Sequence, residues 1–278
     1  MDGVWYLVHS TACTLCLCLV ENAMTETNYI RKTPKALVAC EESQRVCIEL
    51  RRVGIEAYSC DIIECSGGHP EWHIQRDVEE LLTLPLNFKT ADSTEHHIDK
   101  WDLVIAHPPC TYLTVTGNRY FYPNGYPSLL KRNPEKVNEL ITARKAEREK
   151  AIRFFLKFTQ IDCKHVAIEN PVGVMSTVYR KPDCIIQPWQ FGTPVSKTTC
   201  LWLKGLQPLK PTEVVKPNPK IKFSSGRSMD PWYRYTFSLS PTERAKERSK
   251  TFPGVAKAMA DTWGVMVMNE FNNGYTNE

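Results

Sequence analysis

No Gly-x-Gly-x-x-Gly follows the first strand-like run of this 278-residue chain. That fingerprint needs its glycines for a tight turn and for close approach to a pyrophosphate, so a nicotinamide-type oxidoreductase is the least favoured reading. No apolar run is long enough to span a bilayer with confidence either. Val4–Val20 is mostly apolar but is broken by His9, Ser10 and Thr11, and no basic residue precedes it as a secretory leader requires. Cys13, Cys16 and Cys18 cluster tightly, yet no second Cys/His pair stands at zinc-finger spacing, so no metal site is expected. The eleven cysteines are an odd number in a long chain, which fits reduced thiols in the cytoplasm better than a disulfide framework. A net charge of +4 permits a nucleic-acid partner without demanding one.

The chain can bury a full core, and one large domain with a small appendage is the natural organisation. Residues 1–33 form an N-terminal extension expected to be poorly ordered, with Met24 the expected functional start and residues 1–23 dispensable. Residues 34–205 form the core, and 206–248 a small basic and aromatic segment. Residues 249–278 supply a helix that returns to the core and then a tail.

Within the core, Lys35–Cys40 is a short apolar run of the kind made by a strand buried on both faces. Val46, Ile48, Leu50 and Val53 mark a helix that Gly54 ends, and Ile55–Ser59 reads as a second strand. A polar stretch over 88–100 leads to a strand at Trp101–Ala106. Residues 111–135, rich in Gly, Asn, Pro and Tyr, are expected to form a long mobile loop. A helix over 136–159 and strands at 164–168 and 199–203 follow. Strands alternating with helices predict an α/β fold with a doubly wound, mostly parallel sheet. Ligands of such sheets sit beyond the carboxyl ends of the strands, where Cys40-Glu41, Asp61, Pro108-Pro109-Cys110 and Glu169-Asn170-Pro171 all fall.

Cys110 follows two prolines, which stiffen the backbone as it leaves its strand and can aim a thiol into a cleft. Glu169 ends an apolar strand, where an ionised carboxylate is costly without a polar partner, so it is a candidate acid. Asp61 and Asp77 are placed to accept hydrogen bonds from ribose hydroxyls and an adenine amine. Between Lys204 and Lys257 many Lys and Arg residues mix with Trp232, Tyr233, Tyr235 and Phe237, a combination that suits phosphate contact and base stacking.

Taken together, Pro108-Pro109-Cys110 and Glu169-Asn170 resemble the Pro-Cys and Glu-Asn pair of DNA cytosine-5 methyltransferases, in the same order. His73–Val78 resembles that family's third cofactor motif. Phe191-Gly192-Thr193-Pro194 resembles its aromatic-Gly-x-Pro segment, and Val255–Ala260 the helix after its last motif. The likeness spans about residues 36–264. It is strongest to the compact phage and prophage type, through Ala106–Thr111 and Gln187–Gly192.

The resemblance implies a methyltransferase-type sheet and methyl transfer from S-adenosylmethionine to cytosine carbon 5 through a covalent Cys110 adduct. It makes Cys110, Glu169 and Lys197 catalytic, and gives Cys40, Glu41, Ser43, Asp61, Ile62, Asp77, Val78, His107 and Pro108 to the cofactor. DNA contacts fall to Thr111, Tyr112, Asn118, Arg119, Asn170, Arg227, Trp232 and Arg234. The target cytosine is flipped from a duplex or taken from a single strand. The first loop, Ala39–Arg45, has no glycine where the family is glycine-rich. Lys197 and Val195 stand where the family has Arg and Gln, and the recognition region is short, which implies weak or very short sequence specificity.

Three rival readings stay open. The first is amino-methyl transfer to adenine N6 or cytosine N4, which needs no adduct. The second is transfer of another one-carbon or carboxymethyl group, and the third a catalytically inactive DNA-binding module. A monomer without membrane contact is expected in each case.

Overall fold

The strand at Lys35–Ala39 (β1) shows why its run is apolar throughout: Ala36 and Val38 face one core cluster, Leu37 and Ala39 the other, and all four are fully buried. Side chains alternate across a strand, so a strand covered on both faces has no polar face to show. The same alternation runs through Leu103–Ala106 (β6). The computed structural model describes residues 33–275 apart from Ser225; the expectations for residues 1–32, including Met24 and the Cys13–Cys18 cluster, lie outside them.

Strands Glu56–Asp61 (β2), His73–Gln75 (β3), His165–Pro171 (β7), Cys184–Ile186 (β8) and Thr199–Lys204 (β9) complete a seven-stranded sheet with the order β3-β2-β1-β6-β7-β9-β8. From β3 to β7 all neighbours are parallel, and β9 runs antiparallel to both β7 and β8. The fold is therefore α/β with a mostly parallel mixed sheet, compatible with a Rossmann-like arrangement. The order reverses direction between β1 and β6, which opens a crevice at their carboxyl ends.

One face is covered by the helix Arg45–Arg52 (α1), through Val46 and Leu50, and by the C-terminal helix at Pro253–Met259. The other face carries the long helix Pro134–Gln160, whose Phe155 and Phe158 are fully buried. That helix begins at a proline with Asn133 capping it, its side chain accepting the Lys136 amide at 2.9 Å. No described helix is long and apolar enough to cross a membrane.

Two expectations change. The polar stretch over 88–100 contains part of an antiparallel hairpin, Leu86–Lys89 (β4) with Glu95–Ile98 (β5), whose Phe88 and Ile98 are buried. Residues 111–135 are not an open mobile loop but hold 3₁₀ turns at Val115–Phe121 and Pro123–Gly125 and the short helix Pro127–Arg132. The cause lies on the long helix. The Arg148 guanidinium sits 3.4 Å from the centre of the Phe121 ring and donates to the Tyr112 carbonyl at 2.8 Å and to Asn118 Oδ1 at 2.6 Å. Arg144 stacks near Tyr112, Tyr120 and Phe121 and donates to the Thr111 carbonyl.

In chain order the helices are α1, then Pro127–Arg132 (α2), Pro134–Gln160 (α3), Met175–Val178 (α4), Pro231–Thr236 (α5), Pro241–Ser249 (α6), Pro253–Met259 (α7) and Val265–Tyr275 (α8). Residues 206–248 hold a two-residue hairpin, Ile221–Lys222 (β10) with Ser228–Met229 (β11), followed by α5 and α6.

Candidate active site

Parallel pairing of β6 and β7 sets Ala106 beside Ile168. One step further along, the next residues on both strands meet: His107 Nδ1 lies 3.2 Å from Glu169 Oε2. Both side chains are mostly buried, His107 at 6 % exposure and Glu169 at 17 %. Burial alone would push the Glu169 carboxyl up. The hydrogen bond from His107 and the Lys197 charge outweigh it and hold the group below the ordinary carboxylate range. The other ring nitrogen, His107 Nε2, is buried and has no hydrogen-bond partner.

Cys110 sits at the end of the His107-Pro108-Pro109 turn and is exposed to solvent, the only exposed cysteine among the described residues. The turn is anchored twice: the His107 amide donates to the Ala39 carbonyl at 2.9 Å, and Asn170 Nδ2 donates to the Pro108 carbonyl at 2.7 Å. Desolvation by the crevice walls raises the Cys110 thiol, and the Glu169 charge adds to that rise; Lys197 acts against both. Cys110, Glu169 and Lys197, three residues far apart in the chain, therefore share one electrostatic neighbourhood.

Lys197 reaches this point just before β9. Its ammonium donates to the Arg248 carbonyl at 2.8 Å and lies within 6 Å of the Trp232 and Phe252 ring centres. Asp230, almost fully buried, ties the 206–248 segment to the same loop by accepting the Ser196 amide at 2.8 Å, while it also caps α5 through the Trp232 amide. The helix α5 then delivers Tyr233. Burial raises its phenol, Arg248 opposes that, and the Cys110, Asp230 and Glu169 charges raise it further. A cleft lined by Glu169, Lys197, Thr199, Ser249, Phe252 and Met259 opens between β9 and α7.

The expected cofactor residues gather at the carboxyl ends of β1, β2 and β3. Cys40 takes a left-handed backbone, φ 59°, a conformation that favours glycine. Its thiol is raised by burial and by the charges of Asp61, Cys60 and Asp77, which places those groups together. Asp61 is itself raised by burial, and Ile62 beside it is 72 % exposed at the rim. Asp77 caps the short turn that begins at Val78 by accepting the Glu79 amide at 2.9 Å; Val78 packs into the core. Glu41 turns inward, its carboxylate accepting the Val46 and Cys47 amides at 2.7 and 3.2 Å, so it fills the N-terminus of α1 itself. Burial lifts Glu41 to about 7 against the pull of His107 and those two amides. Ser43 is buried in the same loop, clasped from outside where the Ser66 amide donates to the Glu42 carbonyl at 2.8 Å.

Of the expected DNA contacts, Asn170 is buried and structural, and Thr111 and Tyr112 are held by the long helix through Arg144 and Arg148. Trp232 packs edge-on against Tyr233 and tilted against Phe252. Asn118, Arg119, Arg227 and Arg234 are exposed; Arg227 stands on the β10–β11 hairpin and Arg234 on α5. Sequence reading missed the His107–Glu169 pair, Tyr233 as a site residue, Asp230 and the Arg144–Arg148 clamp. Among the described residues no group of three or more His, Cys, Asp or Glu is placed to hold a metal ion. No protein-family model and no curated protein matches the chain.

Proposed function

We propose that this protein is a DNA cytosine-5 methyltransferase that uses S-adenosylmethionine. The observation that carries the reading is the convergence of Cys110, Glu169 and Lys197 at one edge of the sheet: Glu169 and Lys197 line one cleft, Asn170 ties the Cys110 turn beside it, and both charges act on the Cys110 thiol. A nucleophile, a carboxyl group for a base edge and a cation to favour the thiolate are the parts that addition to a pyrimidine ring requires.

The Cys110 sulfur adds to carbon 6 of the cytosine as the thiolate, which Lys197 favours. Glu169 faces the N3 edge, and carbon 5 becomes nucleophilic. A solvent water later takes the carbon-5 proton, and the freed pair re-forms the C5–C6 bond as the S–C6 bond breaks and the thiolate leaves. Tyr233 and the clamped segment after Cys110 flank the base and limit water.

For the cofactor, the crevice offers acids and no anion cradle. Asp61 and Asp77 suit ribose hydroxyls and an adenine amine, and the acidic lining suits a sulfonium and an ammonium. Glu41 occupies the helix N-terminus that a pyrophosphate would need. These residues fit S-adenosylmethionine and would reject a dinucleotide. When bound, the cofactor supplies the methyl group.

The test is incubation of the protein with labelled S-adenosylmethionine and DNA carrying 5-fluorocytosine. A covalent protein–DNA adduct is expected with the wild type and none with Cys110→Ser. Labelled DNA without an adduct would instead point to amino transfer, and DNA binding with no label to a binding module.

A further inference from the structure

Exposed aromatic rings are concentrated on this protein. Tyr120, Tyr122, Phe223, Tyr235 and Phe237 stand on two segments, 111–135 and 206–248, and elsewhere among the described side chains only Tyr179 is as open. The first segment follows Cys110, and the second brings Tyr233 into the reach of the Cys110 charge. A single exposed ring is ordinary. A set confined to the two segments around one reactive thiol is a pattern that asks for a ligand with flat faces.

Two of these rings stand nearest the chemistry. Tyr122, 62 % exposed, ends the 3₁₀ turn Val115–Phe121, its amide donating to the Arg119 carbonyl and its carbonyl accepting the Gly125 amide at 3.0 Å. Phe237, 45 % exposed, follows Tyr233 by one helical turn, so both rings meet the Arg248 guanidinium, 4.7 and 5.2 Å from its carbon. The Arg248 carbonyl in turn holds Lys197.

We propose that the DNA taken at this site is single-stranded, with the bases beside the target cytosine stacked on Tyr122 and on Phe237. The proposal rests on the cytosine reading and goes beyond it by naming the form of the substrate.

In a duplex each base covers the faces of its neighbours, so an exposed ring finds no free base face in either groove. An unpaired strand offers a face at every base, and stacking accepts any of the four. That tolerance agrees with a recognition segment too short for long sequences. Taking an unpaired cytosine also spares the energy of unpairing and unstacking it.

Cations interleave with the rings, as a strand with a phosphate between successive bases requires. The Arg119 guanidinium lies 4.9 Å from the Tyr120 ring centre, exposed Arg234 precedes Tyr235, and Lys222 and Arg227 stand on the hairpin that bears Phe223. The first segment is also held before any strand arrives. Arg148 clamps it, Tyr126 Oη donates to the Tyr120 carbonyl at 3.2 Å, and Gly125 packs where an added Cβ would lie 2.2 Å from the Arg119 carbonyl oxygen. Rings held in this way lose little freedom when a base stacks on them.

The test uses a circular phage genome in its single-stranded form and as the matching duplex, so that both substrates carry the same sequences. Methyl transfer is expected with a kcat/KM about tenfold or more higher on the single strand. Tyr122→Leu and Phe237→Leu should each lower the single-strand value by about tenfold, the order of one lost stacking contact. On the duplex both should stay within about twofold of wild type, while Tyr122→Phe and Phe237→Tyr, which keep a ring, should retain the single-strand value. Binding of an end-labelled oligonucleotide, single or annealed, is followed by anisotropy without S-adenosylmethionine and should show the same preference and the same losses.

A kcat/KM as high on the duplex, or equal losses on both forms in the leucine variants, overturns the proposal. A higher kcat/KM on an RNA copy of the strand overturns it as well. Absence of methyl transfer to either form overturns the cytosine reading, and the anisotropy then decides the strand preference alone: binding to the single strand no tighter than to the duplex overturns it. Thermal melting checks the fold of each variant, and Tyr122→Gln or Phe237→Gln serves where a leucine variant does not fold.

Discussion

Asn170 donates its side-chain amide to the Pro108 carbonyl at 2.7 Å, and so ties the strand end that bears Glu169 to the turn that bears Cys110. This buried hydrogen bond, together with the β6–β7 pairing, sets the spacing of Cys110 and Glu169. Asn170→Ala is expected to cost about 1–3 kcal/mol, the usual consequence of orphaning a buried carbonyl. It should also lower methyl transfer more than DNA binding. Urea unfolding gives the first quantity and paired activity and binding assays the second. Full activity in a destabilised variant would show that the tie serves folding alone.

The Cys110 thiol is raised by desolvation from the crevice walls and by Glu169 and lowered by Lys197. Its alkylation should therefore accelerate with rising pH. Lys197→Ala should move the midpoint up and Glu169→Gln should move it down. Peptide-resolved mass spectrometry after timed iodoacetamide treatment reads all three. Identical midpoints in wild type and Lys197→Ala would remove Lys197 from the site.

Glu41 stands at about 7 in the folded chain against an ordinary 4.5. Its folded pKa is raised, so between those values the native state binds more protons than the unfolded one. Stability conferred by that protonated carboxyl is present at low pH and is lost as pH rises from 4.5 towards 7, by roughly 3 kcal/mol in all. Other carboxylates contribute with the opposite sign, so the clean quantity is a difference. Glu41→Gln should flatten the wild-type-minus-variant stability curve above pH 7 and give it a slope between 5 and 7. Chemical denaturation at five or six pH values measures it.

How much of this could be read beforehand differs by element. The strands at 35–40, 101–106 and 164–168 are legible because burial on both faces writes a continuous apolar run. The β4–β5 hairpin is hidden because Phe88 and Ile98 are the only buried residues of its two strands and polar side chains surround them. Cys110 and Glu169 are legible as residue types at strand ends. Their alignment with His107 is not, since it depends on the register between two strands 62 residues apart, and neither segment encodes that alone. The segment after Cys110 reads as a mobile loop because its own composition is that of one. Its order comes from Arg144 and Arg148, on a helix whose exposed face gives no hint of the partner.

Arg148 accordingly carries a prediction. Arg148→Ala removes the stacking on Phe121 and the donors to Tyr112 and Asn118. Proteolysis and hydrogen exchange should rise across residues 111–126 and little elsewhere. Arg148→Lys should rescue only partly, because an ammonium lacks the planar fork. Unchanged exchange in Arg148→Ala would assign the order of this segment to its other anchors.

One of those anchors is Gly173. An added Cβ there would lie 2.2 Å from the Leu113 carbonyl oxygen, a backbone atom that cannot move aside. Gly173→Ala should therefore part the segment after Cys110 from the end of β7. Methyl transfer should fall at least tenfold (an order-of-magnitude expectation for a misplaced catalytic group), with the loss visible in activity assays on folded protein.

The reversed direction of β9 has a topographic consequence. Parallel strands deliver only their own C-terminal extensions to the rim that holds Cys110, so β1, β2, β6 and β7 each contribute residues at or just past the end of their parallel pairing. A strand running the other way delivers the residues that precede it, and Lys197 precedes β9. Were β9 turned to match its neighbours, that ammonium would stand at the far rim, about 20 Å off at the rise of a six-residue strand. A single inversion of chain polarity thus brings a cation to a rim otherwise supplied from strand endings, and any permutation of the chain that keeps Lys197 beside Glu169 must keep that inversion.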